Sequence, residues 1–199
     1  MKTWSPKDIA ERNIETYPFS GDWQRIFGQP DIRFSTLIQG AAKSGKSTFC
    51  AKFAQYVSQY GRVLYVSAEE RINSMTLQQR IKLCGVTSQN VRFVHLRDLE
   101  DIEKLLQKGG YRFVFIDSVQ HVKMNVDQWI GLRKKFSRRK LSWHLVMQMG
   151  ENITKYKHEV DVLVAVKDGI ASVHGRYNRS TSVQVFNSNQ PDLFERSTL

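Results

Sequence analysis

Phe34-Ser35-Thr36-Leu37-Ile38-Gln39-Gly40-Ala41-Ala42-Lys43-Ser44-Gly45-Lys46-Ser47-Thr48 is the stretch that decides the fold. An apolar run ending at Ile38 reads as a buried strand, and a helical pattern opens at Ser47. Between them, Gly40 to Ser47 fits G-x-x-x-x-G-K-[ST] in the strand–turn–helix context that the motif requires. Its glycines let the loop wrap a phosphate, while backbone N–H groups and the helix N-terminus face the negative charge. Gly40, Ala41, Ala42, Lys43, Ser44, Gly45 and Thr48 are therefore candidate ATP contacts, Lys46 the cation for the β- and γ-phosphates, and Ser47 a ligand for Mg²⁺. Lys43 is an extra cation, read first as solvated and second as a further phosphate contact.

Outward from this loop, strand and helix signals alternate. Apolar runs suited to buried strands lie at 33–38, 63–66, 91–94, 113–116 and 144–147, with helical patterns at 47–60, 74–83, 98–107 and 126–136. Alternation at this spacing implies right-handed crossovers and a mainly parallel sheet flanked by helices. Near the end, runs at 160–166 and 170–177 flank Lys167-Asp168-Gly169, a hairpin signal, and a strand at 182–186 follows. The fold class is thus α/β, a phosphate-loop sheet with a C-terminal antiparallel extension. Three of the four prolines precede residue 31, so residues 1–32 read as an N-terminal arm, helical from Pro6 to Glu15 with a turn at Ser20-Gly21-Asp22. Residues 33–199 read as the ATPase domain.

Asp117 ends the run Phe113-Val114-Phe115-Ile116, where a carboxylate reaches the Mg²⁺ shell beside the phosphate loop. No Glu follows it, so the carboxylate that activates water must come from elsewhere. Glu69, ahead of Glu70, is the candidate, because both terminate the strand at 63–66. Gln148 ends the next strand and is a candidate γ-phosphate sensor.

Composition narrows the classes. The 199 residues are 41% apolar and 25% charged, ordinary for a folded domain. No apolar run approaches a membrane span and no secretory signal opens the chain, so a cytoplasmic protein with no membrane partner is expected. Cys50 and Cys84 form no Cys-x-x-Cys pair, and His95, His121, His144, His158 and His174 lack ligand spacing, so no structural metal is expected. Thirty Lys and Arg against 19 Asp and Glu give +11, all of it after residue 39. Such an excess favours polyanionic partners, nucleic acid first. Arg133-Lys134-Lys135-Phe136-Ser137-Arg138-Arg139-Lys140 concentrates it on a helix whose apolar face is Trp129, Leu132 and Phe136. A solvated face is the first reading of that run and a nucleic-acid contact the second.

The order of motifs resembles RecA-family ATPase cores, the RadA (Sms) branch most of all. Val63-Leu64-Tyr65-Val66-Ser67-Ala68-Glu69-Glu70 is similar to that branch's strand ending in Ser-Gly-Glu-Glu, and Ile116-Asp117-Ser118-Val119-Gln120 to its Ile-Asp-Ser-Ile-Gln. His158-Glu159-Val160-Asp161 resembles its His-x-Val-Asp, and 176–181 with Val185-Phe186 its Lys-Asn-Arg-Phe-Gly motif and the strand after it. The resemblance implies a RecA-like Mg²⁺-dependent ATPase that forms homo-oligomers and acts on DNA, single-stranded in the first instance. It places DNA loops after Ser118 and Gln148, where Lys123 and Lys155, Tyr156 and Lys157 stand. It also implies a cation acting on a neighbour's γ-phosphate. The family's lysine there is His174, leaving Arg176, with Arg179 a weaker candidate. The branch's zinc finger and Lon-like domain have no counterpart in these 199 residues. Two other readings remain: an ATP-binding assembly or regulatory subunit with little hydrolysis, and a small-molecule kinase.

Overall fold

The computed structural model describes residues 3–150, 153–178 and 180–186. Its parallel strands grow out of the apolar runs: β1 (Ser35–Gly40), β2 (Arg62–Ser67), β3 (Val91–Val94), β4 (Tyr111–Asp117), β5 (Ser142–Gln148) and β6 (Val162–Lys167). Two antiparallel strands, β7 (Ile170–Gly175) and β8 (Thr181–Gln184), extend one edge. The sheet order is β3-β2-β4-β5-β1-β6-β7-β8. β1 carries the phosphate loop and is flanked by β5 and β6, while β4 lies beyond β5.

Helices α1 (Pro6–Ala10), α2 (Gly21–Phe27), α3 (Lys46–Val57), α4 (Met75–Leu83), α5 (Leu99–Gln107), α6 (Val119–Val122), α7 (Val126–Lys135) and α8 (Ile153–Lys157) complete the described chain. Side chains set several of their starts. Ser74 caps α4, Asp98 caps α5, and Asn125 with Gln128 forms a capping box on α7. The central strands are apolar on both faces because helices cover both. On β4, Phe113 and Phe115 join the layer under α2 and α3, and Val114 and Ile116 join the layer under α5 and α7.

The Asp168-Gly169 turn is a two-residue hairpin, with Lys167 opposite Ile170 and positive φ at both turn residues (48° and 75°). Two expectations need correction. Gly21 opens helix α2 instead of a turn, because Ile26 and Phe27 gain burial there. The first arm helix stops at Ala10, with no buried residue to extend it. The arm packs onto the domain: Tyr17, Phe19, Ile26 and Phe27 are buried among Phe34, Phe53 and Phe113, while residues 3–16 are exposed.

Candidate nucleotide site

The strand C-terminal ends of β1, β2, β4 and β5 gather the predicted residues at one edge of the sheet. The loop from Gly40 to Gly45 needs its glycines. A Cβ on Gly40 would collide with the Val166 carbonyl oxygen and meet Ser44 Oγ at 2.6 Å. Gly45 holds φ 104° at the N-cap of α3, a backbone that side chains resist. Lys43 also takes a left-handed turn conformation, with its side chain exposed.

Lys46 is buried, and its Nζ donates to Ala41 O at 2.6 Å, so the ammonium lies folded across the loop. Burial lowers its pKa, opposed by the charges of Asp117 and Glu69. Among the described residues Ser44 Oγ is buried with no hydrogen-bond partner. An orphaned hydroxyl in a phosphate loop that leads into a helix N-terminus fits an anionic ligand such as a triphosphate. Thr48, half-buried, follows on the first turn of α3.

Asp117 is the last residue of β4 and is buried. Burial raises its pKa, opposed first by the hydrogen bond from the Tyr65 hydroxyl (2.7 Å), then by the neighbouring Ser47 hydroxyl and the charge of Arg80. Ser47, on the first turn of α3, thus stands beside Asp117. A hydroxyl and a carboxylate beside the phosphate loop form the donor set that Mg²⁺ takes when phosphate oxygens and water supply the rest. Among the described residues no cluster of three or more His, Cys, Asp or Glu is arranged for a metal.

The two glutamates after β2 have different surroundings. Glu70 is tied down by Arg80 at 2.6 Å and by the Thr76 hydroxyl, with its side chain 18% exposed. Burial would raise its pKa, but these bonds outweigh it and hold the carboxyl low. Glu69 is 51% exposed, its carboxylate 4.0 Å from His121 Nδ1 and within electrostatic reach of Lys46. Of the two, Glu69 is the exposed carboxylate.

Gln148 closes β5 opposite Gly40, beside the first residue of the loop. Its backbone carbonyl accepts from Gln120 Nε2 at 3.1 Å.

The remaining candidates lie apart. Lys123 is exposed at the C-cap of α6, and Lys155 and Lys157 lie on α8. Tyr156 corrects the sequence reading. It is 3% exposed, its hydroxyl donates to Met124 O at 2.5 Å, and its ring packs by Trp129. Burial pushes its pKa up to about 12. A ring held this way cannot stack a base. Arg176 follows the last residue of β7, one position beyond the strand that carries His174. Its backbone N–H bonds Asp161 O, and its guanidinium lies 3.4 Å from the Asp161 carboxylate. The β6–β7 turn touches the phosphate loop, Gly169 N donating to Ser44 O at 3.3 Å, whereas Arg176 lies at the other end of these strands. Six residues of strand separate them by about 20 Å. Arg179 lies outside the described residues.

Residues the sequence reading passed over also meet here. Tyr65 supports Asp117, Arg80 holds Glu70, and His121, bonded to the Ser118 hydroxyl at 2.8 Å, stands by Glu69. Phe186 packs on the loop, where a Cβ on Gly45 would meet its Cε1 at 2.5 Å. Tyr65 was readable in principle, two residues before the end of a strand adjoining that of Asp117.

The sheet order, the loop after β1 and the acid at the end of β4 define a RecA-like phosphate-loop fold, and known structures agree. The flagellar accessory protein FlaH from Methanocaldococcus jannaschii superposes with a TM-score of 0.62 over 86% of this chain and 95% of its own, at 15% identity. A KaiC-like protein from the hyperthermophilic archaeon Pyrococcus horikoshii gives 0.59 over 86% and 93%, at 13% identity. At such identities the likeness is one of fold. No protein-family model and no curated protein matches the sequence. Among the described residues no helix is long and apolar enough to cross a membrane.

Proposed function

We propose that this chain is a Mg²⁺-dependent ATPase of RadA type that assembles into homo-oligomers and acts on DNA in recombination, repair or replication. The observation that carries the reading is a convergence on one edge of the sheet: Lys46 across the phosphate loop, Ser47 beside Asp117, and Glu69 exposed while Glu70 is pinned by Arg80. Bound Mg²⁺ would supply neutralisation of charge on the phosphates, held by Ser47 and Asp117. Lys46 and the loop amides orient the triphosphate. Glu69 accepts the proton of the attacking water, and Gln148, next to Gly40 in the sheet, reports the γ-phosphate to the segment that follows it. Charge stabilisation by preplaced donors is the main catalytic contribution.

In this reading Arg176 serves a neighbour's phosphate loop, since it stands at the wrong end of its own sheet to serve its own. A second reading, an ATP-binding subunit with little hydrolysis, draws support from His174, which stands where the family has lysine and bonds Ser180 Oγ at 2.6 Å. Product analysis separates the possibilities. Free phosphate without a phosphorylated acceptor supports the ATPase, a phosphorylated acceptor means a kinase, and ATP binding with background turnover on single-stranded DNA, duplex DNA and RNA supports the second reading.

A further inference from the structure

The opposite edge of the sheet, where the parallel strands begin, holds a second cluster of charge. Arg33 precedes β1, Arg62 opens β2, Arg112 lies at the start of β4, and Arg138, Arg139 and Lys140 precede β5. Neighbouring strands are about 4.8 Å apart, so the four starts from β2 to β1 span roughly 14 Å. Arg133 and Lys134 on α7 extend the band into a cleft of about 370 Å³ that they share with Arg33 and Arg139. Its floor is apolar, formed by Phe136, Leu141 and Trp143, with Ile130 exposed on the rim.

These arginines are fixed in place largely without being neutralised. Arg33 Nε donates to Arg139 O (3.2 Å), Arg133 to Glu159 O (2.7 Å), and Arg139 to Leu106 O and Gln107 O. All four acceptors are backbone carbonyls. Aromatic rings hold three more contacts: Arg133 over Trp129, Arg139 over Phe136 and Arg62 over Tyr111, each within 5.1 Å of the centroid. Glycines make room for two side chains reciprocally. Arg62 Nη1 lies 2.7 Å from where a Gly110 Cβ would stand, and Arg112 fills the corresponding space at Gly61.

Like charges gathered this closely repel one another unless a counter-charge arrives. The nearby carboxylates are few. Glu159 lines the cleft, Glu15 of the arm pairs with Lys140 within reach of Arg112 and Arg33, and Asp161, bonded to Ser35 at the start of β1, is taken up by Arg176. Preplaced guanidinium forks are suited to the phosphate oxygens of a nucleic-acid backbone.

We propose that this edge binds the backbone of single-stranded nucleic acid, on the side of the sheet away from the phosphate loop. The band continues past the cleft across four strands, which favours an extended polyanion over a single anionic group. The inference rests on the proposed nucleic-acid partner but not on hydrolysis, and it moves the contact away from the loops after Ser118 and Gln148.

The test is binding of a labelled oligothymidylate of about 20 nucleotides, followed by anisotropy across a salt series. Lys134 and Arg138 are exposed, and their side chains make no hydrogen bond or ion pair with the described residues, so Lys134→Ala/Arg138→Ala should unfold at the wild-type temperature. It should bind about tenfold more weakly, with the log–log salt slope shallower by about 1.4, two phosphate contacts at roughly 0.7 each. Glu15→Gln, which removes a counter-charge, should bind several-fold more tightly, an outcome that a purely structural role for the arginines does not produce. Binding that survives the double substitution but is lost in Lys123→Ala/Lys155→Ala/Lys157→Ala would overturn the inference and leave the DNA partner standing. A wild-type protein that binds no oligonucleotide would overturn both. Polyglutamate competing as well as the oligonucleotide at equal charge would also overturn it, in favour of an acidic protein partner.

Discussion

The two edges of the sheet use charge in opposite ways. At the phosphate-loop edge, cations and carboxylates face each other: Lys46 feels Asp117 and Glu69, and Arg80 is locked to Glu70. At the strand-start edge, arginines are tethered mostly to carbonyl oxygens and aromatic rings and keep their charge for something outside the chain. In the proposed reading the first edge takes a metal–triphosphate, in which both signs of charge must be met, and the second a polyanion. An α/β sheet permits this division because all six parallel strands begin at one edge and end at the other, and its chemistry conventionally collects where they end.

Arg176 crosses that division, and the largest expected effect follows from it. It sits at the strand-start edge, 70% exposed, about 20 Å along the strands from its own phosphate loop. If it acts across a subunit interface, Arg176→Ala should lower turnover about 10³-fold, as loss of an arginine finger does. Mixing Arg176→Ala with Lys46→Ala, each inactive alone, should restore part of the activity, because mixed interfaces can join an intact loop to an intact cation. A monomer with concentration-independent specific activity would contradict this.

The next effect separates the paired glutamates. Glu69→Gln should bind ATP normally and turn over about 10²- to 10³-fold more slowly, since the amide keeps the shape and loses the basicity. Glu70→Gln should instead cost stability, about 2 kcal/mol in a urea titration, because it strips Arg80 of its partner in a half-buried setting. Reversed outcomes would mean that the register at the end of β2 is off by one.

A third prediction concerns the layer that joins the two edges. His144 lies buried at the centre of β5 against Phe115, with ring centroids 4.4 Å apart, Nδ1 bonded to Thr36 Oγ1 and Nε2 without a partner among the described residues. Burial drives its pKa down to about 3. The folded state therefore holds the neutral ring while the unfolded chain takes up a proton below about pH 6.5. Stability contributed by this group is present above pH 6.5 and falls as pH drops toward 3, by about 1.4 kcal/mol per pH unit. Denaturant titrations between pH 6.5 and 5, above the range in which Glu70 titrates, should show that slope in the wild type and lose it in His144→Phe.

The smallest effect is at Tyr156. Tyr156→Phe removes one buried hydrogen bond, to Met124 O, and should cost about 1 kcal/mol of stability while leaving oligonucleotide affinity unchanged. A loss of affinity at unchanged stability would return the residue to the nucleic-acid site.

These contrasts also mark what the sequence could reveal. The strands and the site-bearing ends of β1, β2 and β4 were legible because burial on both faces writes continuous apolar runs, and a phosphate loop tolerates few residue types. The Asp168-Gly169 turn was legible for a similar reason, since two positive φ angles narrow the choice. Tyr156 was not. A tyrosine between two lysines has the same letters whether its ring faces solvent or Trp129, and only the packing of α8 on α7 decides. Glu70 was separable from Glu69 only through Arg80, ten residues away on α4. The strand-start band escaped for the same cause: Arg33, Arg62 and Arg112 are scattered in sequence and become neighbours only when the strands align. Helix α2 hid behind Gly21, whose backbone freedom reads as a turn unless the burial of Ile26 and Phe27 is known.

The central claim is that the phosphate-loop edge hydrolyses ATP, and phosphate release from Mg²⁺-ATP, with and without single-stranded DNA and across protein concentrations, tests it most directly. The account predicts turnover that rises with protein concentration and with DNA, and that falls about 10²-fold or more in a folded Lys46→Ala variant. Wild-type turnover in Lys46→Ala, or background turnover in the wild type under every condition, would contradict it.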